Sequence, residues 1–106
     1  MIRHAFRMSV NPGREQEYLR RHQPIWPELE ETLLARGVRT YSIFLDAGTN
    51  DLFAYVEFDS EQEWAAVADT EVCRRWWGQM RDLMPSNPDD SPVSMPLDEV
   101  FHIERR

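Results

Sequence analysis

Cysteine occurs once in this chain, at Cys73, so no disulfide can form within it. A lone cysteine inside a helical pattern reads as a small buried hydrophobe rather than as a nucleophile. Basic residues are few, 12 against 19 acidic ones, giving a net charge of −7 and a pI near 4.9. Nucleic-acid-binding domains carry a basic footprint for phosphates, so the charge balance argues against a nucleic-acid partner. No run approaches the roughly 20 apolar residues of a membrane span. The N-terminus, Met1 to Arg7, alternates and lacks the apolar core of a secretory signal. The expected location is the cytoplasm, away from membranes. Glycine is scarce, at 4 residues. There is no Gly-rich phosphate loop, no metal-ligand cluster, no nucleophile–base pair and no internal repeat.

Aromatic residues are plentiful by contrast: they make up 11% of the chain, 4 of them tryptophans. A small domain rich in Trp has a pocket or an interface to line, beyond what core packing takes up. At 106 residues the chain has room for one domain only, spanning 1–106. Residues 2–10 alternate as a strand that Asn11-Pro12-Gly13 stops. Residues 14–22 read as a helix that breaks at Gln23-Pro24, resumes near Pro27 and closes at Gly37. Strands follow over 38–46 and 52–58. Ser60 then caps a helix, with Glu63 placed for a capping box, and Thr70 caps another that runs to about Met84. Residues 85–96 are proline-rich and irregular, and 97–104 alternate as a last strand.

The order β-α-β-β-α-β is that of a ferredoxin-like α+β fold with an antiparallel sheet. Leu52, Ala54, Val56 and Phe58 share one face of their strand, Phe53 and Tyr55 the other. Tyr41, Ile43 and Leu45 likewise lie opposite Phe44. Both sheet faces are thus largely apolar, and helices can cover only one. A second copy of the chain is the simplest cover for the other, which predicts a homodimer.

One stretch concentrates chemistry, Arg20-Arg21-His22-Gln23-Pro24-Ile25-Trp26-Pro27-Glu28-Leu29. His22 exchanges protons near neutral pH, and the dipole of the preceding helix should favour its protonated form. Tyr18 lies four residues earlier on the same helical face. Trp76 and Trp77 are about 100° apart around their helix. Read by themselves, they fit core stripes as well as a ligand wall. His4 and His102 read as structural residues on outer strands, and Asp46 and Glu57 are left without a role.

Further segments extend the pattern along the chain: Ala5-Phe6, Val10-Asn11-Pro12, Tyr41 with Leu45-Asp46, Val72-Cys73-Arg74-Arg75-Trp76-Trp77, Met84-Pro85, Asn87-Pro88-Asp89, Ser91-Pro92-Val93-Ser94 and Glu99-Val100-Phe101. On this ordered set, over essentially all of its length, the chain resembles the L-rhamnose mutarotases. The resemblance implies a cofactor-free and metal-free cytoplasmic enzyme that interconverts the α and β anomers of L-rhamnose on a dimeric α/β-barrel. It implies His22 as proton donor, with Tyr18, Tyr41, Trp76 and Trp77 binding the sugar.

The residues suit that chemistry. Opening a hemiacetal needs one proton delivered to the ring oxygen and one removed from the anomeric hydroxyl, and a positioned imidazole can deliver it. Water, a tyrosine, or His22 acting in both roles remain candidates for the second transfer. Residues 85–96 would fold across the pocket mouth, grip the partner subunit, or form a plain surface connection. Two other activities fit the same scaffold: a cofactor-independent monooxygenase, and a sugar-binding module without catalysis.

Overall fold

The computed structural model describes residues 1–105. Its elements are β1 (Ile2–Ser9), α1 (Glu15–Arg21), α2 (Pro27–Ala35), β2 (Val38–Asp46), β3 (Asp51–Phe58), α3 (Glu61–Val67), α4 (Glu71–Met80) and β4 (Met95–Leu97). The strands form one antiparallel sheet in the order β2-β3-β1-β4, with the helices on one face, a ferredoxin-like arrangement. Local sequence explains most boundaries. Pro27 opens α2 at a position that needs no backbone N–H. Gly37 follows α2 at φ +93°, a left-handed conformation that favours glycine.

Ser60 Oγ accepts from the Glu63 N–H at 3.3 Å, and Thr70 Oγ1 accepts from the Cys73 N–H at 3.3 Å. Both expected caps are therefore present. The reciprocal half of the capping box is not, because the Glu63 carboxylate turns to Arg36 at 3.2 Å. The helix expected to reach Met84 stops at Met80. Residues 81–84 are turn and bend, which buries Leu83 and Met84 beneath the helix end.

Residues directly opposite in the ladder share a face. Leu45, Leu52 and Met8 form one row, Ile43, Ala54 and Phe6 the next, and Tyr41, Val56 and His4 a third. This face packs under the helices with Tyr18, Leu29, Val67, Val72, Cys73, Trp76 and Met80. A β-bulge between Val38 and Thr40 resets the alternation. Strict period 2 would send Val38 and Tyr41 to opposite faces. The extra residue lets both turn inward, so Val38 is buried against Phe58 while Tyr41 joins the row above it.

The other face carries Phe44, 65% exposed, beside Phe53, with Arg3, Ala5 and Arg7 on β1. The last strand is shorter and earlier than expected. It covers Met95–Leu97, and residues 98–105 run on without regular structure. Glu99 is held by two of the three Arg3 guanidinium nitrogens, Nε at 3.0 Å and Nη2 at 2.9 Å. Beyond it Val100, Phe101 and Ile103 are exposed. The alternation that marked 97–104 as a strand is real, but among the described residues it pairs with β1 no further than Leu97. His4 is likewise on an inner strand rather than an outer one. Its Nε2 lies 2.8 Å from Glu61 and its ring packs edge-on to Phe58.

The Gly37 conformation supplies a direct test. Gly37→Ala should lower the unfolding free energy by about 1–2 kcal/mol, the usual cost of a left-handed L-residue. Its measure is the shift in the urea midpoint; an unchanged midpoint would mean that the α2–β2 turn does not require this conformation.

Candidate active site

Between the helices and the sheet lies a cavity of about 1070 Å³. All five residues expected at the site line it: Tyr18, His22, Tyr41, Trp76 and Trp77. The sequence places them there through three elements. Tyr18 and His22 are four residues apart at the end of α1, so their side chains meet on one face. The bulge in β2 turns Tyr41 inward. The last turns of α4 supply the two tryptophans.

His22 is the C-cap of α1, at φ −95° and ψ −4°. Its ring Nδ1 lies 2.9 Å from the Tyr18 carbonyl oxygen. A carbonyl only accepts, so Nδ1 carries a proton and donates it. In the neutral ring the remaining nitrogen, Nε2, then holds the lone pair. The imidazole lies tilted against the Tyr18 ring with centroids 4.4 Å apart, and it meets Trp76 edge-on at 5.2 Å.

Burial pushes the His22 pKa below its ordinary value of 6.5, and the Tyr18 carbonyl opposes this more weakly. The expectation that the helix end would favour the protonated ring is therefore corrected. The carbonyl acts in the expected direction, but loss of hydration outweighs it. Burial also holds the Tyr18 and Tyr41 phenols well above the ordinary value of 10. Both hydroxyls thus stay protonated and available as donors. Among the described residues no buried polar side-chain atom lacks a partner. Burial pushes the Cys73 thiol up to about 11, which leaves it an inert part of the core.

Trp76 is buried between His22 and Trp26, and Trp77 is half-buried beside it. Phe6, Met8, Ile43 and Leu52 make the apolar floor. The 85–96 segment contributes Asn87, Ser91, Pro92 and Ser94 to the cavity lining. It is braced by the Asn87 N–H donating to the Ser91 carbonyl at 2.8 Å and the Val93 N–H donating to Pro85 at 3.1 Å. Asp46 and Glu57 lie elsewhere. Asp46 Oδ1 accepts from the Gly48 N–H at 2.9 Å, and Glu57 accepts from the Tyr55 hydroxyl at 2.6 Å. Among the described residues no group of three or more His, Cys, Asp or Glu could hold a metal ion.

Sequence reasoning assigned no role to Trp26, whose ring stands edge-on to Trp76 at 5.1 Å. The signal was present: a tryptophan set between Pro24 and Pro27 has a constrained backbone and faces whatever α2 packs against.

A lowered His22 pKa has a sign that can be checked. Folded protein binds this proton less readily than unfolded chain, so His22 costs stability only as pH falls below 6.5. Imidazole NMR should place its titration midpoint below that value. A midpoint above it would mean that the ring is better hydrated than this packing allows.

With this geometry in hand, likeness to known proteins is specific. The family profile described as L-rhamnose mutarotase matches residues 3–103. The L-rhamnose mutarotase of Enterobacter sp. (strain 638) is 60% identical over 104 residues, covering 98% of this chain and all of that one. The crystal structure of an L-rhamnose mutarotase from Formosa agariphila superposes with a TM-score of 0.90 at 45% identity, covering 98% of this chain and 100% of that one. A putative antibiotic biosynthesis monooxygenase from Nitrosomonas europaea superposes at 0.65 with only 14% identity, covering 95% and 100%, and shares the fold alone. The chain belongs to the L-rhamnose mutarotase family.

Proposed function

We propose that the chain interconverts the α and β anomers of L-rhamnose and that His22 moves both protons. The observation that carries this reading is the Nδ1–H bond to the Tyr18 carbonyl at 2.9 Å, which leaves Nε2 as the free nitrogen of a cavity-lining imidazole.

In the neutral ring Nε2 is a base. It takes the proton of the anomeric hydroxyl as the C1–O1 bond gains double-bond character and the bond from C1 to the ring oxygen breaks. The electron pair of the broken bond goes to the ring oxygen. The imidazolium then returns its proton there, acting as the donor that the family resemblance implies. Both oxygens are bonded to C1 in the closed sugar, so one nitrogen reaches them in turn. The aldehyde rotates by half a turn about C1–C2, and the same steps in reverse close the ring on its other face. No net proton or electron enters or leaves.

Tyr18 and Tyr41 suit the sugar hydroxyls, because their protonated phenols donate at any pH the protein would meet. Trp76 and Trp77 offer apolar surface to the C–H face and the C5 methyl group of a 6-deoxy sugar. Asn87 and Ser91 supply further polar contacts at the cavity rim. The reading needs no cofactor.

The exposed Phe44, Phe53 and Leu97 on the uncovered sheet face, with Val100, Phe101 and Ile103 beyond it, suit a second copy of this chain. A homodimer packed through that face is part of the reading. Residence in the cytoplasm suits a chain whose one cysteine is buried as a free thiol.

Exchange NMR on L-rhamnose at anomeric equilibrium should show faster interconversion with the protein present. His22→Ala should lose roughly 10²–10⁴-fold of that rate. A His22→Ala protein that exchanged the anomers at the parental rate would remove His22 from the chemistry. For the assembly, light scattering should give twice the monomer mass, and Phe44→Asp should halve it. A parental protein that stays monomeric at micromolar concentration would overturn the dimer.

A further inference from the structure

We propose that Trp26 is a positioning residue: clasped from outside by Arg75 and Glu28, it holds the Trp76 indole against His22 and so sets how that imidazole is aimed and kept from water. The inference deepens the proposed role of His22 and rests on it where activity is concerned.

Trp26 does not line the cavity. It is the residue before α2, at φ −57° and ψ 126°, and Pro27 follows it. A residue preceding proline is confined to extended backbone, so the ring leaves the chain in a narrow range of directions. On one side it meets Trp76 at 5.1 Å between centroids, the planes 81° apart. Trp76 in turn presents an edge-on contact to His22 at 5.2 Å, with planes at 90°. The three rings form a stack of perpendicular contacts in which each limits the rotation of the next.

The Arg75 guanidinium also lies over the Trp26 ring, 5.9 Å from its centroid. One Arg75 nitrogen lies 2.8 Å from both Glu28 carboxylate oxygens. The spacing in sequence makes this clasp selective. Glu28 is two residues past Trp26, and Arg75 is the immediate neighbour of Trp76. The ion pair therefore joins the start of α2 to α4 at the point where the two indoles meet. Both charged groups are exposed and contribute little stability as a pair. Their effect is geometric, closing the open side of Trp26.

His22 has few other supports. Glu17 and Asp82 are engaged by Arg21 at 2.8 and 3.0 Å. The remaining titratable groups that share the cavity are Tyr18, Tyr41, Cys73, Glu15 and Glu30. Of these only Glu30 is tied to Trp26, and through backbone alone, its N–H donating to the Trp26 carbonyl at 3.0 Å, so a change of the Trp26 side chain reaches His22 through Trp76.

The test reads His22 twice, by imidazole NMR titration and by anomer-exchange kinetics, in Trp26→Leu, Trp26→Phe and Arg75→Gln. Trp26→Leu should move the His22 midpoint up toward its ordinary value as water enters. It should also lower kcat about tenfold with KM within about twofold, since a misaimed catalytic group costs rate more than binding. Trp26→Phe keeps an aromatic edge against Trp76 and should restore most of both. Arg75→Gln, at an exposed position, should shift both readings in the same direction by less. An unchanged midpoint and kcat in folded Trp26→Leu would overturn the proposal. Should that variant not fold, the same result in Arg75→Gln would overturn it. A midpoint that moves while kcat stays parental would uphold the positioning and remove His22 from catalysis.

Discussion

A single hydrogen bond, from His22 Nδ1 to the Tyr18 carbonyl, fixes the tautomer and the orientation of the imidazole that lines this cavity. The last carbonyls of a helix have no partner within it. In α1, only seven residues long, they make up much of its hydrogen-bonding capacity. By filling one of them with its own side chain, His22 completes the helix end and orients its ring in the same contact. The tautomer follows from the acceptor, because a carbonyl leaves no choice as to which nitrogen bears the proton. The nitrogen left free is thus chosen by backbone geometry rather than by a second side chain. Pro24 makes the contact possible by ending the helix just beyond His22. In a helix that ran on, the Tyr18 carbonyl would be taken by a backbone N–H one turn later.

Two influences then compete for the charge on that ring. A helix end favours a cation by about 0.3–1 kcal/mol at a surface, and up to about 2 kcal/mol in partly buried sites. That corresponds to at most roughly one and a half pKa units. Desolvation reaches about 3–5 units for a fully buried group. A seven-residue helix stands at the weak end of the first effect, and Trp76 with Tyr18 supplies much of the second. A neighbouring carboxylate could have reversed the outcome. Arg21 prevents this by holding both Glu17 and Asp82. The resting imidazole is neutral, and a neutral imidazole can accept a proton first and give it back later. A permanently charged one could only give.

The elements that carry the site were legible because their signals are local. Proline excludes helix at Gln23-Pro24 whatever surrounds it, and the spacing of Tyr18 and His22 needs only a helix to become a contact. Ser60 and Thr70 announce their helices through side chains that reach three residues ahead. What remained hidden depends on partners distant in sequence. The bulge beside Arg39 leaves no mark in a chain whose alternation can be started from either Val38 or Tyr41, and only pairing with β3 decides it. Residues 97–104 alternate like a strand, yet Pro96 and the short ladder to β1 allow pairing over Met95–Leu97 alone. The balance of charge on His22 was misjudged for the same reason, since burial is a property of the assembled core.

The sheet and the helices divide the work. β1 and β3 lay an apolar floor of Phe6, Met8 and Leu52 that contributes no polar atom to the chemistry. The histidine and the two tyrosines come from the edge of that floor: the end of α1 for Tyr18 and His22, and the bulged strand β2 for Tyr41. An apolar floor keeps the imidazole poorly hydrated, and poor hydration holds it in the neutral form that can accept a proton. The same core that stabilises the fold therefore sets the protonation state of the side chain proposed to move protons. A polar substitution on the floor that left every site residue in place would still reach the imidazole, because water admitted beneath the ring would move its pKa back up toward the ordinary value and raise its charged fraction.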